Sequence, residues 1–204
     1  MGDKAHWEKI YTSKAPDQVS WYQVQPQLSL DLIRRTGVDK PAQIIDVGGG
    51  ASALVDHLLA DGFEHVSVLD ISSTALAVAK SRLGPQANDV TWIDANITQA
   101  QLPPAHYDVW HDRAVFHFLT DPEDRRKYVE VATRAIKPGG HVIIASFATD
   151  GPMQCSGLDV MRYSPTALHH EFGEDFELIE SRDETHNTPF GTQQKFVYCY
   201  CRKL

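Results

Sequence analysis

Ile44-Ile45-Asp46-Val47-Gly48-Gly49-Gly50-Ala51-Ser52-Ala53-Leu54 is the stretch that decides how this chain is read. An apolar run ends in a carboxylate, three glycines follow, and an apolar-periodic helix pattern begins. A strand that turns sharply into a helix leaves bare backbone N–H groups at the helix start, a natural cradle for a polar ligand. Glycine lets that ligand come within contact distance of the backbone. The segment therefore reads as a nucleotide-type cofactor site.

Strands and helices alternate outward from it. Gln43–Val47, Val66–Ile71, Val90–Asp94, Tyr107–His111 and His141–Phe147 read as buried strands. Ser52–Ala60, Thr74–Leu83 and roughly 122–136 read as helices, with Ser72 an N-cap and Gly84-Pro85 a stop. Lys137-Pro138-Gly139-Gly140 reads as a turn. Short apolar strands separated by helices predict an α/β fold, a doubly wound and mostly parallel sheet with right-handed crossovers. The tail differs. A short helix over 165–172 is followed by apolar–polar alternation over Phe176–Glu184 and Lys195–Cys201, which predicts an antiparallel C-terminal hairpin at the sheet edge. N-terminal helices are expected too. Leu28, Leu32 and Ile33 have helical spacing, and Trp7 and Tyr11 stand four apart on one face. We expect a single domain over 1–204, with a helical lid at 1–40 and a core at 41–204.

The composition sets bounds. The chain has 204 residues, 42% hydrophobic and 23% charged, ordinary values for a globular protein with a full core. A net charge of −8 argues against nucleic acid as the main partner. No apolar run approaches the roughly 18 residues that span a bilayer, so no membrane partner is expected. A myristoylation signal fails at His6, where Ser or Thr is wanted. Three cysteines without a secretion signal predict reduced thiols and a cytoplasmic setting.

Asp46, Asp70 and Asp94 each end a predicted strand. Ligands of open parallel sheets bind beyond those ends. Asp70 lies 20 residues after Gly50, where an acid that accepts from ribose hydroxyls belongs. Asp94 and Ala95 are placed to meet an adenine amino group. Gly48–Ala53 also satisfies a dinucleotide fingerprint, so a small NAD-dependent oxidoreductase is an alternative. Asp46 before the glycines, and an antiparallel tail in place of another parallel unit, favour a cationic ligand with an amino-acid moiety. S-adenosylmethionine is such a ligand.

With these features the chain resembles the class I S-adenosylmethionine-dependent methyltransferases. The matching segments are IIDVGGGAS (44–52), VSVLDIS (66–72), VTWIDANI (90–97), YDVWHDRAVFHFL (107–119) and IKPGGHVIIASF (136–147). The resemblance implies a seven-stranded sheet whose last strand is antiparallel. It places Asp46, Gly48 and Gly50 around the methionine part of S-adenosylmethionine, Asp70 on the ribose, Ile71 on the adenine face and Asp94 with Ala95 at its edge. It sets His111 near the sulfonium. Ser52 departs from the family's third glycine and is expected to cap the helix. The aromatics Trp7, Tyr11, Trp21 and Tyr22 either close over the cofactor, Trp21 among them touching it, or pack on the sheet edge.

The polar segment His111-Asp112-Arg113 follows the fourth predicted strand, where acceptor-binding residues fall. His111 is a candidate base and Arg113 a candidate clamp for a carboxylate. A structural Asp112–Arg113 ion pair and a satisfied core His117 are the competing readings. Cys155, Arg162 and His186 lie in loops that could cap the pocket. Cys199 and Cys201 share one face of a strand, with packing their expected role and no metal ligand set nearby. A small-molecule acceptor is favoured over a protein lysine, and a non-catalytic S-adenosylmethionine-binding protein is the remaining alternative.

Overall fold

A computed structural model describes residues 2–204. Helices α1 (Lys4–Ser13) and α2 (Gln27–Arg35) precede an alternating core: β1 (Gln43–Val47), α3 (Leu54–Ala60), β2 (His65–Asp70), α4 (Ser73–Leu83), β3 (Val90–Asp94), β4 (Tyr107–Arg113), α5 (Pro122–Ala135) and β5 (Ile136–Ala148). Two-residue strands β6 (Gln154–Cys155), β7 (Leu158–Asp159) and β8 (Arg162–Tyr163) lead to α6 (Pro165–Phe172). The chain ends in β9 (Phe176–Asn187) and β10 (Gln193–Lys203).

The sheet runs β3-β2-β1-β4-β5-β10-β9, with β8 added beside β5. Strands β1 to β5 pair in parallel, and β10 is antiparallel to both β5 and β9. This is the doubly wound, mostly parallel sheet with an antiparallel C-terminal hairpin that the alternation predicted. The expected turn at 137–140 differs. It is absorbed into β5 as an irregularity, because pairing with β4 jumps from Ile136 to His141 while Gly139 takes a φ of 74°.

Period-two alternation sorts the strand residues into two cores. On β1, Ile44 faces the core shared with α2 and α3, while Ile45 faces the one shared with α5 and α6. On β10, Phe196, Tyr198 and Tyr200 take the first side and Val197, Cys199 and Cys201 the second. The last two cysteines are thus packing residues, as their spacing suggested, and all three thiols are free and buried. Among the described residues no helix is long and apolar enough to cross a membrane.

Ser72 caps α4 as expected, its Oγ accepting from Ala75 N at 3.1 Å. A second cap comes from outside the segment. Glu8 of α1 accepts from the backbone N–H groups of Ser73 and Thr74 at 2.8 and 3.1 Å, and from the hydroxyl of Ser72 at 3.1 Å. Burial pushes the Glu8 carboxyl up, but these donors outweigh it and hold it down at about 2. A carboxylate at a helix N-terminus also meets the positive end of the helix dipole. Ser72→Ala is expected to cost about 1 kcal/mol in urea unfolding, the usual loss for an N-cap. An unchanged midpoint would show that Glu8 alone satisfies the helix start.

Candidate active site

The carboxyl ends of β1, β2 and β4 and the loops after them form the floor of two adjoining cavities, of about 700 and 580 Å³. Gly48, Tyr11, Trp21 and Arg113 line both. In the first, Asp70, Ile71, Ala95 and Ile97 form one end. In the second, Asp46, Gly49, Ala51, Ser52 and His111 form the wall, with α2 opposite.

The glycine loop owes its shape to close approach. Gly48 has a φ of 71°, and a Cβ there would sit 1.9 Å from Val115 Cγ2. Gly50 has a φ of 40°, and its Cβ would lie 2.6 Å from Asp70 Oδ2. At Gly49 a Cβ would meet Asp46 Oδ2 at 2.4 Å. Only glycine fits at these points. Ser52 accepts from Leu54 N at 3.1 Å in the turn before α3, whose N-cap position is Ala53, so the expected cap falls one residue later than Ser52 and carries no side-chain bond. Arg82 donates to the carbonyls of Ala51 and Ser52 at 2.8 and 2.7 Å and pins the loop from behind.

Asp46 and His111 are neighbours across the β1–β4 ladder. Both are buried, and His111 Nδ1 lies 2.7 Å from Asp46 Oδ1. A carboxylate only accepts, so Nδ1 is the donor. The other ring nitrogen meets Ser29 Oγ of α2 at 2.8 Å. His111 is therefore tied at both nitrogens and holds Asp46 in place.

Asp70 is buried at the end of β2 and accepts from Ser72 N at 2.8 Å. Burial lifts its carboxyl to about 7, partly offset by that N–H and reinforced by Asp46, Glu8 and Asp94. A buried carboxylate in this state gains from further donors. Ile71 and Ala95 flank it in the cavity wall. Asp94 lies outside the wall, half exposed, gripped by Lys4 of α1 at 2.6 Å.

Asp112 departs from its expected catalytic place. Its side chain faces away from both cavities and is fully buried. It accepts from Tyr128 OH at 2.6 Å and from the N–H groups of Val115 and Phe116 at 2.8 and 3.1 Å. Strand alternation explains this, since residue 112 points to the sheet face opposite His111 and Arg113. Burial lifts it to about 6 against these donors. Its work is to shape the turn after β4, where Ala114 takes a φ of 77° and Val115 comes over Gly48.

Arg113 does not pair with Asp112 either. Its guanidinium donates to Glu184 of β9 at 3.0 Å, to Tyr198 OH of β10 at 2.9 Å and to the Trp21 carbonyl at 3.2 Å. The charge intended for an acceptor carboxylate is thus already matched. His117 is buried as expected, but both ring nitrogens lack a partner. Burial drives it down to about 3, and its ring packs 4.4 Å from Phe118 and 4.6 Å from Phe147.

The other loop residues divide. Cys155 lines the first cavity, while the exposed Arg162 side chain donates to the Gly151 carbonyl at 3.4 Å. His186 binds the Ser20 carbonyl at 2.8 Å and, with Gln194 on Ser20 Oγ, ties down the segment that presents Trp21. Sequence reasoning missed Ser29, Glu184, Tyr198 and Glu8. Ser29 alone left a trace, a polar residue on the apolar side of α2 beside Leu30.

Residues 45–144 match the family described as a methyltransferase domain. A mouse eEF1A lysine and N-terminal methyltransferase is 25% identical over 155 residues, 72% of this chain and 22% of that protein. A ubiquinone/menaquinone biosynthesis C-methyltransferase of Methylobacterium nodulans is 31% identical over 112 residues, 53% of this chain and 43% of its own length. The chain thus spans less than half the length of these relatives. The N-methyltransferase NodS of Bradyrhizobium japonicum, solved with S-adenosylhomocysteine, superposes with a TM-score of 0.75 at 16% identity, over 96% of this chain and 97% of that one. Residues 45–144 thus carry a methyltransferase domain, and the chain has the fold of the class I S-adenosylmethionine-dependent methyltransferases.

Proposed function

We propose that this chain methylates a small molecule enclosed beside the cofactor. The observation that carries the reading is the roof of the first cavity. Helix α1 contributes Trp7 and Tyr11 to it, and the 149–161 segment contributes Cys155. The two covers meet, for a Cβ on Gly2 would lie 2.6 Å from Leu158 Cδ1. A protein lysine needs an open approach, whereas a small molecule can be closed in and shielded from water.

The residues fit S-adenosylmethionine. The glycine cradle that a Cβ would fill takes the amino-acid part, with Asp46, held by His111, facing its ammonium. Asp70 accepts from the ribose hydroxyls, and Ile71 and Ala95 give a flat base its apolar face. Trp21 closes over the junction of the two cavities. Asp94 acts by docking Lys4 and so the lid. When bound, the cofactor supplies an electrophilic methyl group, so the protein's task is to position the acceptor and exclude water.

Isothermal titration with S-adenosylhomocysteine tests this directly. Asp70→Asn is expected to weaken binding by about 1.5–3 kcal/mol, the range for hydrogen bonds to a charged group. Only the carboxylate form of Asp70 accepts from both ribose hydroxyls, and its value is near 7. Affinity should therefore fall about tenfold per pH unit below that point and level off above it. Stability runs the opposite way. The folded value is raised above the ordinary 3.8, so the folded chain holds this proton more tightly. Asp70's contribution to stability is present at low pH and is lost as pH rises from about 4 to about 7. A flat affinity profile, or one that Asp70→Asn leaves in place, would place the ribose elsewhere.

A further inference from the structure

We infer that the acceptor is a small, flat, electrically neutral heteroaromatic molecule, methylated on an unprotonated ring nitrogen. This deepens the methyltransferase reading and rests on it.

The walls carry the first part. Beyond the glycine loop, the first cavity is lined by Trp7, Trp21, Phe118, Phe147 and Phe196. Trp7 stands nearly at right angles to Phe118 at 5.0 Å and to Trp21 at 6.1 Å. Phe147 and Phe196 lie 4.8 Å apart, centroid to centroid. Faces and edges set this way suit another aromatic ring, which packs on them by offset stacking or edge-to-face contact.

Charge carries the second part. The titratable side chains that line this cavity are Tyr11, Asp70, Arg113 and Cys155. Burial pushes the Tyr11 phenol up and the Cys155 thiol to about 11, so both stay protonated and neutral. Asp70 turns toward the glycine loop, with Ser72 N on one oxygen and Gly50 against the other. Arg113 is neutralised by Glu184 at 3.0 Å, and its guanidinium lies 4.2 Å from the centre of the Phe196 ring. The acceptor half is therefore electrically balanced as it stands. An anionic or cationic acceptor would lose its water shell there with no unpaired counter-charge to meet it.

The same inventory bears on the reacting atom. A protonated amine or a phenol needs a base, and neither the Tyr11 phenol nor the Cys155 thiol is one. A ring nitrogen brings its own lone pair. That pair forms the new N–C bond, the electrons of the breaking C–S bond stay on sulfur, and no proton moves. The positive charge passes from sulfur to the ring, where the faces of Trp7 and Trp21 can stabilise it by cation–π interaction.

The test uses the full chain with S-adenosylhomocysteine bound and three probes of similar size: quinoline, benzoate and benzylammonium. Quinoline, held at a pH where its nitrogen is unprotonated, is expected to bind at least about tenfold more tightly than either ion, a difference set by the cost of burying an unpaired charge. Glu184→Gln leaves Arg113 with an unmatched charge, and the preference for benzoate over quinoline should then rise about tenfold. Mass spectrometry after incubation with S-adenosylmethionine should detect N-methylquinolinium. Benzoate or benzylammonium binding as tightly as quinoline, no binding by any probe, or an unchanged preference in Glu184→Gln would overturn the inference. Failure of S-adenosylhomocysteine itself to bind would instead strike the methyltransferase reading.

Discussion

Gly48→Ala is expected to remove S-adenosylhomocysteine binding almost completely and to lower stability at the same time. Two separate effects act at this residue. Its φ of 71° is left-handed, which costs a residue with a Cβ roughly 1–2 kcal/mol. The Cβ would also fall 1.9 Å from Val115 Cγ2, far inside van der Waals contact. Val115 cannot yield freely, because Asp112 binds its N–H at 2.8 Å and the preceding Ala114 is itself left-handed. The loop must therefore move instead, pulling Gly48 N away from the Leu69 carbonyl it meets at 2.6 Å. Overpacking of this kind adds about 1–3 kcal/mol, so an unfolding loss of about 2–5 kcal/mol is expected. Affinity should fall at least about a hundredfold, since each factor of ten needs only about 1.4 kcal/mol. Val115→Ala in the same chain removes the clash but leaves the φ strain. It should return more of the binding than of the stability. Calorimetric titration and urea unfolding on both variants measure the two losses separately. If Gly48→Ala binds normally, the loop is not the cofactor cradle.

The contrast between Gly48 and Val115 shows what could be read in the sequence. The strand–glycine–helix signal is local, as are the Ser72 cap, the carboxylates at strand ends and the alternation that built the hairpin. Each depends on residues a few positions apart. That Val115 comes over Gly48 depends instead on a turn held by a buried Asp112, and on which face of β4 that residue takes. The sequence showed His111, Asp112 and Arg113 as one polar cluster. Strand geometry splits it, sending residues 111 and 113 to the cavity side and residue 112 to the opposite core. Partners were hidden for the same reason. His111 meets Asp46 because the β1–β4 register sets them side by side, and Arg113 meets Glu184 across 71 residues of chain. Lys4 reaching Asp94, and Glu8 capping α4, are likewise products of where α1 docks.

Arg113→Met is expected to be the most destabilising single change at the site, by about 3–5 kcal/mol in urea unfolding. The side chain of Arg113 is 9% exposed and that of Glu184 14%, so water does little to screen either. Removing the guanidinium leaves the Glu184 carboxylate with only Tyr198 OH at 3.2 Å and Gln23 Nε2 at 2.9 Å. It also leaves the Trp21 carbonyl without its donor at 3.2 Å. The segment bearing Trp21 is then held by His186 and Gln194 through Ser20, and by Gln23 on Glu184. Most of the loss comes from the stranded carboxylate, because an uncompensated buried charge costs more than the pair contributes. The double change Arg113→Met with Glu184→Gln should therefore recover more than half of the lost stability. What stays lost is the tether on Trp21 and the packing of the guanidinium over Phe196. If the double variant is no more stable than Arg113→Met alone, the pair is not the element that holds the hairpin, the fourth strand and the Trp21 segment together.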